Sequence, residues 1–464
     1  MFEKILGTVG DSLSDWLLLP LLVAAAIWFT LRMRGVQFTM FGEMCRQLTA
    51  RSAHPGISSF QAFAVSIASR VGTGNLAGVA TAIIIGGPGA VFWMWVMALL
   101  GAASAFVEST LAQLYKVPDG LGGFRGGPAY YILHGLKSRW WAVLFAVLIS
   151  VTFGLAYNSV QSNTIAEAFH SSWQIPVWLT ATAVSLLSAW VIWGGLKSIA
   201  RFSQWVVPVM AIAYILVAMV VVAMNLERVP DVFRLIVENA FGIDEAVGGT
   251  LGGAMAMGIR RGLFSNEAGE GSAPNVAATA HVSHPVKQGL VQALGVFTDT
   301  LLICTTTALL ILLSGVHIDA TVGGISLTQQ ALDSEFRLLP GAGAWFVSIA
   351  ILFFAFTSIV ANYYYGETNI RFISGNPLWV TLYRCVVTAF VLAGGISSLG
   401  VVWSLADITM SLMAICNLCA IVPLGRYARR CLDDFRRQRR CGADPQYHKS
   451  VNPEIAGSTP CWPD

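Results

Sequence analysis

Long apolar segments, separated by short polar ones, follow one another along almost the whole chain. Eleven can be delimited, each near or above the roughly 20 residues that a helix needs to cross a bilayer. They lie at 14–31, 57–85, 89–115, 139–169, 175–194, 200–224, 246–280 (interrupted), 286–315, 342–370, 378–395 and 399–425. Because the apolar runs are continuous and do not alternate with polar residues, they predict membrane-spanning helices and not the strands of a β-barrel.

Composition agrees with an all-α integral membrane protein. Of 464 residues, 55% are hydrophobic and 11% are charged, against roughly 25% charged in a soluble protein. A soluble domain of this size needs more charge to cover its surface, so a soluble enzyme, a disordered chain and a nucleic-acid binder are excluded. The polar segment 427–464 is expected to be a disordered or loosely attached extension.

Basic residues fix the predicted orientation of the spans. Lys and Arg are concentrated in the loops after spans one and three and in the segment after span eleven, whereas the connections 225–245 and 316–341 carry more acids than bases. Loops rich in Lys and Arg face the cytoplasm. The pattern therefore predicts a multi-pass protein of a bacterial-type plasma (inner) membrane, with its N-terminus outside and its C-terminus in the cytoplasm.

Two of the predicted spans are poor helices. Residues 69–75 read SRVGTGN, and residues 258–274 contain four Gly, one Pro and four charges. Irregular backbone at membrane depth is tolerated only where protein or water surrounds it, and charges there usually serve function. Both segments are therefore predicted to be discontinuous helices, although close helix packing alone is the alternative role of their glycines.

The two interruptions occupy corresponding positions. They lie about 190 residues apart, and each falls in the first helix of a run of five. Since five is odd, the second run is inverted, which is the 5+5 arrangement of the bacterial leucine transporter. The predicted parts are an extra helix and linker (1–56), a first repeat (57–224), an extracellular connection (225–245), a second repeat (246–426) and a cytoplasmic tail (427–464).

The interruptions also suggest a ligand. The N-terminus of a half-helix offers free N–H groups and positive potential to a carboxylate, and the C-terminus of the other half offers carbonyls to an ammonium group or a cation. An amino-acid zwitterion uses both ends at once.

Several motifs resemble the alanine/glycine:cation symporter family. The most specific is GGPGAVFWMWVMALLG at 86–101, and the similarity continues with GTGN at 72–75, FSNEAG at 264–269, GSAP at 271–274 and YYYGE at 363–367. The resemblance implies a leucine-transporter-type fold and Na⁺-coupled uptake of small neutral amino acids such as alanine or glycine, with H⁺ as the alternative coupling ion.

The interruptions, the resemblance and one departure from it together predict site residues. Those expected to bind the amino acid are Thr73, Gly74, Asn75, Gln161, Ser265, Asn266, Gly269 and Asn362. Those expected to bind Na⁺ are the side chains of Thr357 and Ser358 and the carbonyls of Ala68, Val71 and Phe354. Glu267 or Glu270 is expected either to neutralise Arg260 or Arg261 or to act directly at the site.

One departure from the family bears on the substrate. The family commonly has Gly-Trp where this chain has Ala361-Asn362. Asn362 is smaller than Trp and can form hydrogen bonds, and residues 274–275 and 284–288 resemble a branch of the family associated with glutamine. Glutamine or another polar neutral amino acid is therefore the alternative main substrate.

Other classes of function find little support. The chain has no HExxH, no GxSxG and no GxxxxGK[ST] motif, so a membrane-embedded enzyme, binding of a nucleotide and an organic cofactor are not predicted. A channel would instead require pore-lining helices in symmetric subunits. The expected partners are the amino acid, the coupling ion and the bilayer, and the sequence does not determine the oligomeric state.

Overall fold

The computed structural model describes residues 2–49, 56–120, 122–242, 251–318, 323–336 and 339–462. The first half of the chain forms α1 (Phe2–Leu13), α2 (Leu19–Arg32), α3 (Val36–Thr39), α4 (Phe41–Thr49), α5 (Ser59–Arg70), α6 (Val79–Gly86), α7 (Gly89–Leu114), β1 (Val117–Pro118), β2 (Phe124–Arg125), α8 (Pro128–Gly135), α9 (Arg139–Val151), α10 (Asn158–Trp173), α11 (Val177–Ile192), α12 (Gly195–Met224) and α13 (Val229–Ala240). The short strands β1 and β2 pair antiparallel.

The second half of the chain is also helical. It forms α14 (Leu251–Asn266), α15 (Pro274–Ala277), α16 (Pro285–Val296), α17 (Thr305–Ser314), α18 (Gly324–Glu335), α19 (Ala342–Ile373), α20 (Pro377–Ile396) and α21 (Leu399–Arg440). Turns of π-helix precede α6 and join α1 to α2, α9 to α10 and α16 to α17. Some predicted spans are therefore continuous through two of these helices.

Eight helices among the described residues are long and apolar enough to cross a membrane. They are Glu3–Arg32, Gly89–Leu114, Arg139–Trp173, Trp205–Met224, Pro285–Ser314, Ala342–Ile373, Pro377–Ile396 and Leu399–Arg440. The segments Gly74–Gly86 and Val177–Ile192 are shorter apolar helices. The molecule is therefore predominantly helical and crosses the bilayer several times.

Both predicted interruptions are present. Helix α5 begins with a capping box of Ser58 and Gln61 and ends at Arg70. Val71 is extended, with ψ 92°, and helix resumes only at Gly74. Because the last carbonyls of α5 have no intrahelical partners, they are free for other ligands.

The second interruption is longer than the first. After α14, the chain turns through positive φ angles of 55° at Glu267, 94° at Gly269 and 86° at Gly271. Helix resumes only in the four residues of α15. The predicted span 246–280 is thus one long half-helix followed by an irregular segment, and its predicted border with the connection 225–245 lies outside the described residues.

The prediction for the C-terminal extension is wrong. Helix α21 continues to Arg440, well beyond the predicted end of its span at 425. The following residues fold back on the molecule, with Tyr447 and Trp462 only 1% and 6% exposed. The segment is polar in composition, but its few aromatic side chains supply the apolar surface that holds it in place.

The predicted connections contain secondary structure of their own. The connection 225–245 contains α13, the connection 316–341 contains α18, and the loop after α7 contains the β1–β2 hairpin and α8. Helix α18 is mostly buried, and its Gln329 donates to Ala168 O at 3.0 Å. These short helices pack against the longer ones, α8 against α9, α13 against α7 and α18 against α19.

Gly271 provides a test of the second interruption. A Cβ at this position would lie 2.8 Å from Pro128 Cγ and 2.9 Å from Asn417 Cγ, at a positive φ of 86°. The left-handed conformation alone costs a non-glycine residue about 1–2 kcal/mol. We therefore expect Gly271→Ala to lower the thermal unfolding midpoint of the purified protein by several degrees.

Gly252→Ala is the matched control, because in the described part of the chain no heavy atom outside its own helix turn lies within 4 Å of the position of a Cβ there. Alanine favours a helix over glycine by about 1 kcal/mol, so this variant should be as stable as the wild type or more stable. Equal midpoints for both variants would show that the turn at Gly271 is not as described.

Candidate functional site

The first interruption is held by side chains from its own turn and from α10. Gly72 N donates to Asn75 Oδ1 at 2.9 Å, and Thr73 N donates to Gln161 Oε1 at 3.0 Å. Gln161 thus substitutes for a missing helical carbonyl. Of the predicted binding residues, Thr73 and Gln161 are therefore bonded to each other, while Asn75 bonds the neighbouring Gly72.

The two interruptions meet at the carboxylate of Asp299, in the π-helical turn Phe297–Cys304. Asn75 Nδ2 donates to one carboxylate oxygen at 2.7 Å, and Ser265 Oγ donates to the other at 2.8 Å. Both side chains also lie 3.2 Å from Cys304 Sγ. A single buried acid therefore connects the start of one half-helix to the end of the other.

Close contact between the interruptions depends on Gly74. A Cβ on this residue would lie 3.0 Å from Ser265 Cα and 3.2 Å from Phe264 Cδ1. The ring of Phe264 continues the contact outward, since its centroid lies 4.6 Å from that of Tyr157 and 4.8 Å from that of Trp403. Aromatic side chains thus border the polar junction.

The remaining residues of the second interruption point to two different places. Asn266 Nδ2 donates to Thr300 Oγ1 at 3.2 Å, beside Asp299. Gly269 lies elsewhere, because its carbonyl accepts from Asn417 Nδ2 at 2.9 Å and its N–H lies 3.4 Å from Glu108 Oε1. The structure does not bring Gly269 to the junction.

Asn362 lies in a second polar cluster that also spans both interruptions. The Ser69 hydroxyl lies 2.7 Å from Asn362 Oδ1 and 2.6 Å from Glu267 Oε1. Glu267 Oε2 in turn accepts from Ser272 Oγ at 2.5 Å. Asn362 Nδ2 is buried and has no hydrogen-bond partner within the described chain. One hydroxyl hydrogen cannot serve two acceptors, so the amide of Asn362 is incompletely satisfied.

The five residues predicted to bind Na⁺ form one cluster of oxygen atoms. Ser358 Oγ lies 2.9 Å from Ala68 O, 3.3 Å from Val71 O and 3.0 Å from Phe354 O. Thr357 Oγ1 also donates to Phe354 O, at 2.9 Å. Hard cations prefer oxygen ligands, and the free carbonyls at the end of α5 supply them. The chemistry of this set of atoms therefore fits an alkali cation.

Arg260 and Arg261 pair with other acids and not with Glu267 or Glu270 in the described residues, so the first of the two alternatives for these glutamates is wrong. Arg260 donates to Asp11 and Asp15 on the first helix, at 2.5 Å each, and Arg261 pairs with Asp407 on α21. The two arginines lie more than a helical turn before Glu267, on faces of α14 that contact α1 and α21. They form a separate ionic contact outside the junction.

Sequence reasoning missed three residues of the site. No role is predicted from the sequence for Asp299, Ser69 or Arg70. Arg70 is 2% exposed and donates to Gln292 O at 3.1 Å. An isolated acid within an apolar span and an arginine beside a helix interruption were the available signals, but neither identifies a partner on another helix.

Comparison with known sequences extends these observations. A sequence model of the sodium:alanine symporter family matches residues 1–449. The chain is 48% identical to the "probable sodium/glutamine symporter GlnT" of Bacillus subtilis, over 100% of this chain and 96% of that protein. It is 36% identical to the "sodium/alanine symporter AgcS" of Methanococcus maripaludis, over 91% of this chain and 95% of that protein.

Comparison with solved structures concerns the fold alone. MhsT in complex with L-phenylalanine superimposes with a TM-score of 0.58 at 12% identity, covering 88% of this chain and 93% of that one. A manganese transporter of Eremococcus coleocola superimposes with a TM-score of 0.54 at 14% identity, covering 88% and 87%. These neighbours are transporters with the leucine-transporter fold.

The family and the relatives are transporters and not enzymes. This agrees with the eight long apolar helices, which make the chain a multi-pass membrane protein. On the strength of the match over almost its whole length, the chain belongs to the sodium:alanine symporter family.

Proposed function

We propose that this protein is a secondary transporter that takes up a neutral amino acid together with Na⁺ by alternating access. The observation that carries the proposal is the junction of the two interruptions at Asp299, where Asn75 and Ser265 bond the same carboxylate. Polar groups of this kind are costly at membrane depth and are retained where an ion or substrate passes. Membership of a family described as sodium:alanine symporters supports Na⁺ as the coupling ion.

Na⁺ is placed at the cluster formed by Ala68, Val71, Phe354, Thr357 and Ser358. Ala68 lies in the last turn of α5 and Val71 follows that helix at the first interruption, whereas the other residues belong to α19. A cation between them would hold these two elements together, and its loss would free one from the other. Binding of the ion is thereby coupled to the conformation of the transporter. H⁺ is the alternative coupling ion.

The amino acid is placed between the interruptions. Residues 73–75 begin a half-helix whose N–H groups attract a carboxylate, so Thr73, Gly74 and Asn75 would bind that end of the zwitterion. The carbonyls near Ser265 and Asn266, with the negative charge of Asp299, would attract the ammonium group. Gln161 would hold the first interruption in the conformation that binds the amino acid.

Asn362 supports glutamine or another polar neutral amino acid over alanine or glycine. Its Nδ2 is buried without a partner in the described structure, and a buried amide group of this kind costs about 1–3 kcal/mol when it is unsatisfied. The side-chain amide of glutamine would satisfy it, whereas alanine offers no such group. The relative named as a glutamine symporter is 48% identical.

The remaining features of the proposal concern the whole molecule. We place eleven spans in the bilayer, arranged as two inverted repeats of five helices after the first one. The helices of the second, third, seventh and eighth spans would rock against the others. The excess of Lys and Arg after spans one, three and eleven supports an external N-terminus and a cytoplasmic C-terminus.

Ser358→Ala tests the cation site. The change removes a hydroxyl that lies 2.9 Å from Ala68 O, and we expect the Na⁺ concentration for half-maximal uptake to rise about tenfold or more. The measurement is initial uptake of labelled glutamine or alanine by proteoliposomes at graded external Na⁺. Ser348→Ala is the control, because it removes an equally buried hydroxyl from α19 far from the interruption. A Na⁺ titration that is the same for Ser358→Ala and wild type would remove Ser358 from the cation site.

Asn362→Leu tests the preference for a polar side chain. It keeps a similar volume but removes the amide, so inhibition of labelled-substrate uptake by unlabelled glutamine should weaken about tenfold, while inhibition by alanine should change little. Asn163→Leu is the control, since it removes a buried Asn of α10 that donates to Gly394 O and Ser397 O, at the end of α20, and not to either interruption. If inhibition by glutamine and inhibition by alanine weakened equally, Asn362 would not recognise the side chain of the substrate.

A further inference from the structure

The residues after α21 form a strap across one end of the molecule. We call residues 441–462 the C-terminal strap. Its first part bonds the loop before α16. Asp444 lies 2.7 Å from Lys287 Nζ, Ser283 Oγ donates to Pro445 O at 2.8 Å, and Tyr447 N donates to Ser283 O at 2.9 Å. Two hydrogen bonds to Ser283 and an ion pair with Lys287, in the first turn of α16, thus join the strap to this loop and to the start of the helix.

The far end of the strap is fixed to the end of α7. Trp462 Nε1 donates to Gln113 O at 3.0 Å, and its ring lies 4.7 Å from Lys116 Nζ. Lys116 is 2% exposed and lies 4.0 Å from the ring of Phe124 on its other side. Burial of a Trp side chain contributes about 1.5–3 kcal/mol or more, so this contact is a substantial part of the docking.

The strap is equally attached to α21 itself. Arg430 and Glu454 form an ion pair at 2.5 Å, and Asn452 Nδ2 lies 3.3 Å from Cys431 Sγ. The strap therefore bridges α21 on one side and the ends of α7 and α16 on the other.

The loop between α15 and α16 lies beneath the strap and contacts the chain next to both interrupted segments. Ala280 follows α15 and forms a parallel bridge with Ile57, and His281 N donates to Ile57 O at 3.0 Å, just before α5 begins. Gln113 and Lys116, at the end of α7, both donate to Ala280 O. Movement of α5 or α15 away from α21 at this end would have to carry the loop away from the strap.

We propose that the C-terminal strap is a built-in restraint that holds the cytoplasmic side of the transporter closed, and that its release precedes opening toward the cytoplasm. The proposal rests on the proposed function, since it takes the helices of spans two, three, seven and eight as the moving group and α21 as part of the static group. The strap joins these two groups by contacts on both sides. The fraction of molecules in which the strap is docked would then set how often the inward-facing state forms.

Truncation after Gly442 tests the restraint in the otherwise complete protein. We expect amide hydrogen exchange in residues 57–62 and 280–287 to become at least threefold faster, and the rate of labelled amino-acid efflux from proteoliposomes to rise at least threefold. Trp462→Ala should give a smaller change in the same direction, and it covers the case in which the truncated chain does not fold. Gly457→Ala is the matched control, because a Cβ at this strap residue would meet no heavy atom of the described residues within 4 Å, and it should leave both rates unchanged.

Two outcomes would contradict the proposal. Unchanged hydrogen exchange in both segments, in a folded truncated protein or in Trp462→Ala, would show that the strap restrains nothing. Slower efflux together with faster exchange would show that the strap supports transport instead of limiting it. The exchange measurement needs no substrate, so a failure of the proposed function, seen as absence of uptake by the wild type, is distinguished from a failure of the restraint.

Discussion

Asp299 lies where two interrupted helices meet. Most of the described site serves to hydrogen-bond the groups that the two interruptions leave without helical partners. Interrupting a helix at membrane depth leaves backbone groups without partners, and each such group costs several kcal/mol if it stays unsatisfied. Here Asn75 and Gln161 serve the first interruption, while Ser265 and Asn75 share the carboxylate of Asp299. The site is therefore a set of groups that bond one another across helices, and a ligand can enter by replacing some of these bonds.

The hydrogen bonds between helices at the interruptions also link binding of a ligand to movement of those helices. Ala68 and Val71 end the first half-helix, and Ser358 on α19 reaches both of their carbonyls. Glu267 in the second interruption and Asn362 on α19 share the hydroxyl of Ser69. A cation or substrate bound at these places would contact several elements at once and replace some of the hydrogen bonds between them. Small changes in those bonds can then shift the balance between conformations, because the rest of each helix is packed and stiff.

The apolar pattern and the resemblance predicted much of this arrangement. Both interruptions were predicted from Gly, Pro and charges within apolar runs, and the five oxygen-bearing residues of the proposed cation site do lie together. What could not be predicted was long-range pairing. Nothing adjacent to Asp299 in the sequence indicates Asn75, which lies more than 200 residues earlier. The polar composition of the strap predicts a loose extension, but Tyr447 and Trp462 are buried against other parts of the chain and hold it in place. Nothing in the local sequence indicates the surfaces that these two rings contact.

The central claim is that the free energy of a Na⁺ gradient drives amino-acid uptake through this site. Its most direct test is the time course of labelled glutamine and alanine uptake by proteoliposomes with Na⁺ only outside. The account predicts transient accumulation of at least one of them above the external concentration, with loss of that accumulation when a Na⁺ ionophore is added. Accumulation that is the same with K⁺ in place of Na⁺ and survives the ionophore would contradict it, as would the absence of accumulation in vesicles that hold folded protein.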